Sequence, residues 1–453
     1  MNPIDIEISD DLASEGQHFL WSMERSACGP GAMNVPVIYR MRGPLDVDAL
    51  SAAFTALMAR HEALRTIFRE QADGLYQHLL EPGDIKLTAI DVSSETHPLQ
   101  AASRGLRAHL VRDIDVTCNP PFSVVLYQLG PGDHVLMINV HHLVTDEWST
   151  RLLCRDLSEL YNAALSGEAS PLPQVGWSFR HYVRNNVSGQ LDETGPTTTE
   201  FWRKELDGMH YLESCSIPKR AEGRRPPSSV NWFQIPSTRV DALCSLAQQY
   251  SVDLSVVMQA IFSATLYSVS LQSDIACGSI ISTREHQQIH QTVGCFTNLM
   301  VLRTQFPPRP TVEEVIELVR TRLLQAAAYQ ECSYGRLVED PSVTDVTMHM
   351  DTAFHMLDVP DWLPAPNGVS FNGIVVETLP IPGGMGSRYD LQLLIVPHKD
   401  RIGGLLRFTP DRYEKSFAQG VVDRYLELIE LAIEDPKYTI PGLENQPDNP
   451  FEG

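Results

Sequence analysis

The amino-acid sequence predicts an α/β protein in which helices pack over mixed sheets. Strands and helices alternate along both halves of the chain, and one junction, residues 134–164, shows both patterns clearly. Residues 134–140 are rich in β-branched and apolar residues, as in a strand, and Leu152, Leu157 and Leu160 then recur at helical spacing. The chain has 453 residues, of which 43% are hydrophobic, and this is enough for two cores.

The first half is predicted to begin with a helix and to end with the helix of the junction. Its helices and strands are predicted from the periodicity of apolar residues and from the positions of turn residues. In chain order they are a helix at 11–26, a strand at 37–41, a helix that starts within 43–50, a hairpin that turns at 72–74, a helix at 98–111, a strand at 122–127 and the strand and helix of the junction.

The second half follows a linker at about residues 166–198, which begins with a stretch rich in proline, glycine and serine. We therefore predict an N-terminal subdomain at residues 1–173 and a C-terminal one at 174–453. The predicted elements of the second are helices at 237–250 and 254–270, a strand at 274–282, a helix at 311–330, a strand at 347–358 and a helix at 413–433. The helix at 254–270 is apolar nearly all round, which predicts that it is buried.

The composition excludes several classes of protein. A net charge of -22 argues against nucleic acid or an anionic membrane as a partner. No apolar run is long enough to span a bilayer, and residues 1–5 do not resemble a signal peptide. The eight cysteines show no metal-ligand spacing, so we expect reduced thiols, no metal site and a cytoplasmic protein.

The candidate chemistry lies where the junction strand ends, at His141, His142 and Asp146. Because side chains alternate in a strand, the two histidines are expected to face opposite ways. A histidine is a suitable general base because its ordinary pKa is near physiological pH. Asp146 can cap the following helix or pair with a cation. A buried histidine pair beside an ordinary helix cap would give the same pattern, and this alternative stays open.

Several segments resemble the motifs of nonribosomal peptide synthetase condensation domains. Residues 141–149 resemble HHxxxDG, which is shared with chloramphenicol acetyltransferase and other acyltransferases. Residues 60–68 match the second condensation motif, R-H-E-x-L-R-T-x-F, almost letter for letter, and residues 293–298 resemble the fifth, V-G-x-F-x-N-T. Partial matches occur at 14–21, 177–182, 329–338 and 388–391. The chain is identified as a member of this family on these motifs.

The resemblance implies two chloramphenicol-acetyltransferase-like halves that form a V-shaped pseudodimer, with the active site in a tunnel between them. It implies that His142 is catalytic and that His141 and Asp146 shape its loop. It also implies that Arg284 pairs with Asp146 across the halves. Arg65 belongs to the second motif, where cationic side chains at a helix end are expected to be structural. The residues that the resemblance places along the tunnel are Trp148, Ser282, Gly294, Phe296 and Asn298.

The implied function is that of a free-standing condensation enzyme. Its donor would be an acyl or aminoacyl thioester on the phosphopantetheine arm of a carrier protein supplied in trans, and its acceptor a small amine or alcohol. The product would be an amide or an ester, and no bound cofactor is implied. Two alternative functions stay open. The protein could be a CoA-dependent acyltransferase of the same superfamily or a catalytically silent carrier-binding module.

The HHxxxDG-like segment departs from the family pattern at one position, because Glu147 stands where the family has glycine. If Glu147 pointed into the site, its carboxylate would raise the pKa of the neighbouring histidine. A glutamate in the first turn of a helix also interacts favourably with the helix dipole when it points outward. The dipole argument favours the outward orientation.

Overall fold

A computed structural model describes residues 11–26, 28–190, 196–209, 212, 225–270, 272–284, 286–329, 334–339, 350–360, 362–398 and 401–441. These residues form three sheets and the surrounding helices, which confirms the predicted mixed α/β class. The strands are β1 Asp11–Leu12, β2 Asn34–Arg42, β3 Thr66–Gln71, β4 Gly74–Leu79, β5 Ala89–Asp91, β6 Phe122–Gly130, β7 Asp133–His141, β8 Ser229–Pro236, β9 Asp274–Ser282, β10 Thr297–Gln305, β11 Thr352–Met356, β12 Val375–Thr378, β13 Leu391–Pro397 and β14 Arg401–Phe408. The helices are α1 Glu15–Ser26, α2 Val47–Arg60, α3 Pro98–Leu110, α4 Glu147–Ser166, α5 Phe179–Gln190, α6 Pro196–Leu206, α7 Ser237–Gln249, α8 Leu254–Ser270, α9 Val312–Ala327, α10 Tyr334–Glu339 and α11 Lys415–Glu434.

The sheet of the first half has the strand order β12-β2-β7-β6-β5. Strand β7 lies at its centre and is antiparallel to both neighbours, β2 and β6. Residues 134–141 of β7 are all buried, as their apolar run predicts. The strand therefore delivers His141 and His142 to a fixed place at the edge of the core.

One strand of this sheet comes from the second half of the sequence. Strand β12 pairs with β2, with Val375 opposite Arg42. The segment 174–453 thus crosses back to the sheet of the first half. The boundary between residues 173 and 174 stays a prediction.

The sheet of the second half has the order β10-β9-β11-β13-β14-β8. It is mixed, because β11 is parallel to β9 and β13 while the other pairs are antiparallel. The register places His355 opposite both Ile280 and Leu394, and Gln392 opposite Arg407. Since side chains alternate along strands, these five side chains lie on one face of the sheet.

Helix α2 is fastened to α4 by the residues of the second motif. Asp156 of α4 is fully buried and accepts a hydrogen bond from Arg60 Nε at 2.8 Å, and its carboxylate lies 2.9 Å from His61 Nε2. Helix α2 itself begins at a cap in which Asp46 accepts from the Ala49 N–H. Arg60 and His61 therefore hold two helices together, as the structural interpretation of this motif predicts.

Several predicted elements differ from the observed ones at their ends, and three of these differences are informative. The first helix begins at Glu15 rather than residue 11, because Ser14 and Gln17 form a reciprocal cap and Asp11–Leu12 pairs with β4 instead. The strand predicted at 347–358 is Thr352–Met356, and residues 347–349 lie outside the described residues. The helix predicted at 311–330 ends at Ala327. The predicted burial of α8 is confirmed.

Among the described residues, no single helix has the length and apolarity to cross a membrane. Helices α7 and α8 meet these criteria only as a pair, and that pair is bent by 98°.

Candidate active site

Two adjoining cavities lie between the end of β7 and the inward face of the six-stranded sheet. The smaller, of about 150 Å³, is lined by His142 and by residues of α1, β10, β13 and β14. The larger, of about 630 Å³, lies beside Trp148, β9 and β11. They share the lining residues Asp146, Glu147, Ile280, Thr297, His355 and Leu357. Both halves of the chain therefore contribute walls to one continuous site.

His141 faces away from the cavities and is fully buried. Its Nδ1 accepts a hydrogen bond from the Leu143 N–H at 3.2 Å, so the proton of the neutral ring is on Nε2. Nε2 lies 3.1 Å from Glu24 Oε1 of α1 and donates to it. These contacts hold the turn after β7, and they confirm that the two histidines face opposite ways.

His142 lines the smaller cavity. Its Nδ1 lies 2.8 Å from the Thr145 carbonyl oxygen, which can only accept, so Nδ1 carries the proton. Burial and the nearby positive charge of Arg388 hold the pKa of His142 well below its usual range. The ring is therefore neutral at neutral pH, and the lone pair of Nε2 is available to accept a proton.

Asp146 is held by bonds from both halves of the chain. Its carboxylate accepts from Arg284 Nη2 at 3.1 and 3.2 Å, from the Ser149 N–H at 2.7 Å and from the Phe296 N–H at 3.0 Å. The Arg284 guanidinium also donates to the carbonyls of Ile289 and Thr292. The pair that the resemblance implied is present, and it joins the start of α4 to the second half.

The segment before β10 closes against the start of α4. Ser149 Oγ donates to the Gly294 carbonyl at 2.7 Å and accepts from the Gly294 N–H at 3.0 Å. A Cβ on Gly294 would lie 2.1 Å from an atom of the Phe179 ring, so only glycine fits there. The Phe296 ring lies 3.9 Å from the Arg284 guanidinium carbon, centroid to atom.

The residues predicted to line the tunnel divide into two groups. Trp148 and Ser282 line the larger cavity, and Asn298 lines the smaller one. Gly294 and Phe296 line neither, because their backbones are bonded to Ser149 and Asp146 and the Phe296 side chain is buried against Arg284. For these two residues the lining role stays a prediction, since neither borders the two cavities. Their position beneath the lining is structural.

Arg65 lies away from both cavities. Its Nη1 donates to the Leu80 carbonyl at 2.5 Å, which ties the end of the second motif to the strand that returns from the 72–74 turn. It borders a separate surface cavity with Glu81 and Asp84. This geometry favours a structural role for Arg65 over a role in the active-site loop.

Glu147 borders both cavities, and its side chain is 32% exposed. The outward orientation favoured by the helix dipole stays a prediction. The Glu147 carboxylate pairs with Arg151 one turn along α4, at 3.2 Å. Burial raises the pKa of Glu147, and Arg151 opposes that shift. The charge of Glu147 does not raise the pKa of His142, which is set by burial and Arg388.

We expect the variant Glu147→Gln to lose no more than about 1 kcal/mol of unfolding free energy, because a partly exposed i,i+4 pair contributes little. Chemical denaturation would measure the loss. Glu317→Gln is the matched control, since Glu317 pairs with Arg320 one turn along the exposed face of α9. A loss of about 3 kcal/mol or more at Glu147 alone would show instead that its charge is a buried structural partner.

Four further residues at the site were not predicted as site residues. Glu24 is the partner of His141, and His355, Arg388 and Arg407 line the smaller cavity. Arg388 does open the partial motif at 388–391, and that motif was the available signal. The other three carry no sequence pattern that separates them from ordinary helix and strand residues.

No cluster of three or more His, Cys, Asp or Glu side chains suited to a metal ion occurs in the part of the chain that the structure describes.

The comparisons with known proteins agree with one another. A family model described as Condensation domain matches residues 11–448. The nonribosomal peptide synthetase kk1B of Curvularia clavata is 29% identical over 445 residues, which are 95% of this chain and 3% of that synthetase. The chain thus spans a small part of that relative.

Two solved structures share the fold. The X-domain from teicoplanin biosynthesis has a TM-score of 0.80 at 22% identity, covering 98% of this chain and 99% of that one. The first condensation domain of the CDA synthetase has a TM-score of 0.74 at 19% identity, covering 95% and 98%. At these identities the likeness concerns the fold.

Proposed function

The chain belongs to the condensation-domain family of nonribosomal peptide synthetases, and from this premise we propose that it transfers an acyl or aminoacyl group from a carrier-protein thioester to an amine or alcohol. The donor would arrive on the phosphopantetheine arm of the carrier, and no other cofactor is required. The two adjoining cavities, which share part of their lining, would each receive one of the two substrates.

The observation that carries this proposal is the state of His142. Its Nδ1–H is committed to the Thr145 carbonyl, and its lowered pKa keeps Nε2 unprotonated beside the cavity. A nucleophile bound there donates its hydrogen to Nε2 while its nitrogen or oxygen attacks the thioester carbonyl carbon. The new C–N or C–O bond forms, the C–S bond breaks, and the thiol of the arm leaves with the proton.

The roles of the neighbouring residues follow from their contacts. His141 and its partner Glu24 fix the turn that presents His142. Asp146, bound by Arg284, fixes the start of α4 and joins the two walls of the site. We propose that these residues position His142 and take no part in proton transfer.

We expect turnover with an acyl donor presented on a carrier-protein arm and little with the same acyl group on CoA, because the family uses tethered substrates. The assay would pair each donor form with one amine and one alcohol of similar size, with product detected by mass. The preferred acceptor decides between amide and ester. The variant His142→Ala in each reaction is the control for the site.

Two other outcomes would change the assignment. Turnover from CoA alone would make the protein a CoA-dependent acyltransferase of the same superfamily. Silence with both donors, together with measurable binding of the carrier, would favour a catalytically silent carrier-binding module. The free-standing state stays a prediction, which the mass of the protein isolated from its source would check.

A further inference from the structure

Two arginine side chains line the smaller cavity without an acidic partner among the described residues. Arg388 lies just before β13 and Arg407 lies on β14. The Nε atoms of both are buried and have no hydrogen-bond partner in the described part of the chain. Both side chains are partly buried, and a cation in such a position is normally paired with a carboxylate.

The carboxylates that line the same cavity are already bound elsewhere. Asp146 is occupied by Arg284, and Glu147 is paired with Arg151. The cavity wall therefore carries two guanidinium groups in excess of the acidic side chains available to them.

The arginines occupy defined positions on the cavity wall. Arg407 lies directly across from Gln392 in the β13–β14 pair, on the sheet face that also presents His355. Arg388 lines the same cavity as His142 and Arg407, and its charge contributes to lowering the pKa of both. Burial, aided by Arg388, lowers the pKa of Arg407 to about 10, and this group remains cationic at neutral pH.

His355 neither neutralises the two arginines nor adds a third positive charge. Burial and the charge of Arg388 lower its pKa to about 4, so His355 is neutral at neutral pH. Besides His142, the two bound carboxylates and the polar side chains of Thr297, Asn298 and Tyr389, the wall at neutral pH thus presents two cations, the neutral His355 and the amide of Gln392.

Burying unpaired cations costs stability, so a wall of this kind suits an anion that arrives with the substrate. Guanidinium groups bind carboxylate and phosphate oxygens with paired, charge-assisted hydrogen bonds. The phosphate of a phosphopantetheine arm lies at the end of the arm opposite the thioester, and this cavity lies at His142, where the thioester must react. A carboxylate close to the reacting group therefore fits better than the phosphate of the arm.

We propose that Arg388 and Arg407 bind a free carboxylate of one of the two substrates, next to the bond that forms. This inference rests on the proposed acyl transfer. If the carboxylate belongs to the acceptor, the acceptor is an amino acid or hydroxy acid whose own carboxyl group is not tethered as a thioester. If it belongs to the donor, the acyl group is that of a dicarboxylic acid.

A binding experiment tests the site without any acyl transfer. Acetate, butanoate and 3-phenylpropanoate are each compared with the corresponding primary amide, and the thermal unfolding midpoint is measured at constant ionic strength. The acids are expected to raise the midpoint of the wild-type protein above that seen with the amides, since a ligand of the folded state stabilises it. Arg388→Gln and Arg407→Gln are each expected to weaken binding of the acids by roughly 10- to 100-fold.

The matched control is Arg239→Gln, because Arg239 is an exposed arginine of the second half that pairs with Glu430. It should keep the response to the acids. Without ligand, the two cavity variants are expected to unfold at the same midpoint as the wild type or above it, because each removes an unpaired cation. Equal shifts by acid and amide, no shift by any acid, or a response to the acids that survives in the double variant would overturn the proposal.

A turnover experiment identifies the source of the carboxylate. Acceptors are offered as an amino acid and its amide, and donors as a succinyl and a butyryl group on the carrier. If the wild type prefers the amino acid to its amide and both Arg388→Gln and Arg407→Gln abolish this preference, the carboxylate belongs to the acceptor. If the wild type prefers the succinyl donor, the carboxylate belongs to the donor. If the acids bind and no pair turns over, the proposed function fails and the anion site stands. Turnover that shows no carboxylate preference in either pair would overturn the anion site alone.

Discussion

The variant Arg284→Ala is expected to lose about 3–5 kcal/mol of unfolding free energy, because it leaves a buried carboxylate without its counter-ion. The side chains of Arg284 and Asp146 are 1% and 5% exposed, so water cannot replace the lost charge. The same change deletes the bonds to the carbonyls of Ile289 and Thr292 and to Ser149 Oγ. The N–H groups of Ser149 and Phe296 still bind Asp146 and keep the loss near the lower end of that range.

The control for this prediction is Arg239→Ala, which breaks an ion pair with Glu430 whose side chains are 41% and 43% exposed. Such a pair contributes no more than about 1 kcal/mol. Urea denaturation of both variants would give the two losses. Equal losses would contradict the view that Arg284 and Asp146 act as a buried connection between the halves.

A double-mutant cycle separates the ion pair from the other bonds of Arg284. If the pair is coupled, Arg284→Ala combined with Asp146→Ala loses less than the sum of the single variants, because neither charge is then left alone. The remaining loss belongs to the carbonyls of Ile289 and Thr292 and to the helix cap at Ser149. Strict additivity would indicate that the two side chains stabilise the protein independently.

The parts of the site that lie close together in the sequence could be predicted from the sequence itself. The contacts between residues far apart in the sequence could be predicted only through the family resemblance. The strand pattern at 134–140 and the cap at Asp146 follow from local periodicity and helix-end chemistry. The Arg284–Asp146 pair joins positions 138 residues apart, and no local rule relates them. The resemblance supplied that pair.

The second wall of the site could not be predicted because it depends on strand register. His355, Gln392 and Arg407 meet on one face only because β11, β13 and β14 align as they do, and a shift by one residue would turn each side chain to the opposite face. Glu24 presents a similar difficulty, because a glutamate on an amphipathic helix carries no sign of which histidine it will meet. Glu147 borders the cavity because the start of α4 lies against it, and helix-end chemistry alone does not predict that contact.

The variant His142→Ala is expected to lower kcat by about 10²- to 10⁴-fold if Nε2 accepts the proton of the nucleophile. Holding the two substrates together can contribute about 7–11 kcal/mol on its own, so some activity should remain. Single-turnover kinetics with a carrier-bound donor would measure the change. The control is His134→Ala, which removes a histidine at the opposite end of the same strand, away from both cavities.

The dependence of the rate on pH distinguishes proton transfer from positioning. As a base, His142 works only when neutral, so kcat/KM should stay level as the pH falls through 6.5, the usual pKa of histidine, and decline only at the lower pKa that burial imposes. The folded state resists protonation of His142, so stability is also lost as the pH falls below about 6.5 toward that lower pKa. His61 and His355 contribute to this loss in the same direction, and the difference between the wild type and His142→Ala isolates the part due to His142.

These measurements give opposite results for the two roles of His142. A base predicts a large loss of kcat in His142→Ala and the disappearance of the acid limb from the rate profile, because the titrating group is gone. A positioning residue predicts a loss within tenfold, an unchanged limb and partial rescue in His142→Gln, whose amide can still hydrogen-bond to the nucleophile. The fixed Nδ1–H bond to Thr145 favours the base, since it leaves the lone pair of Nε2 at the cavity wall. The depressed pKa keeps the ring neutral, and it also lowers the driving force for proton transfer to Nε2.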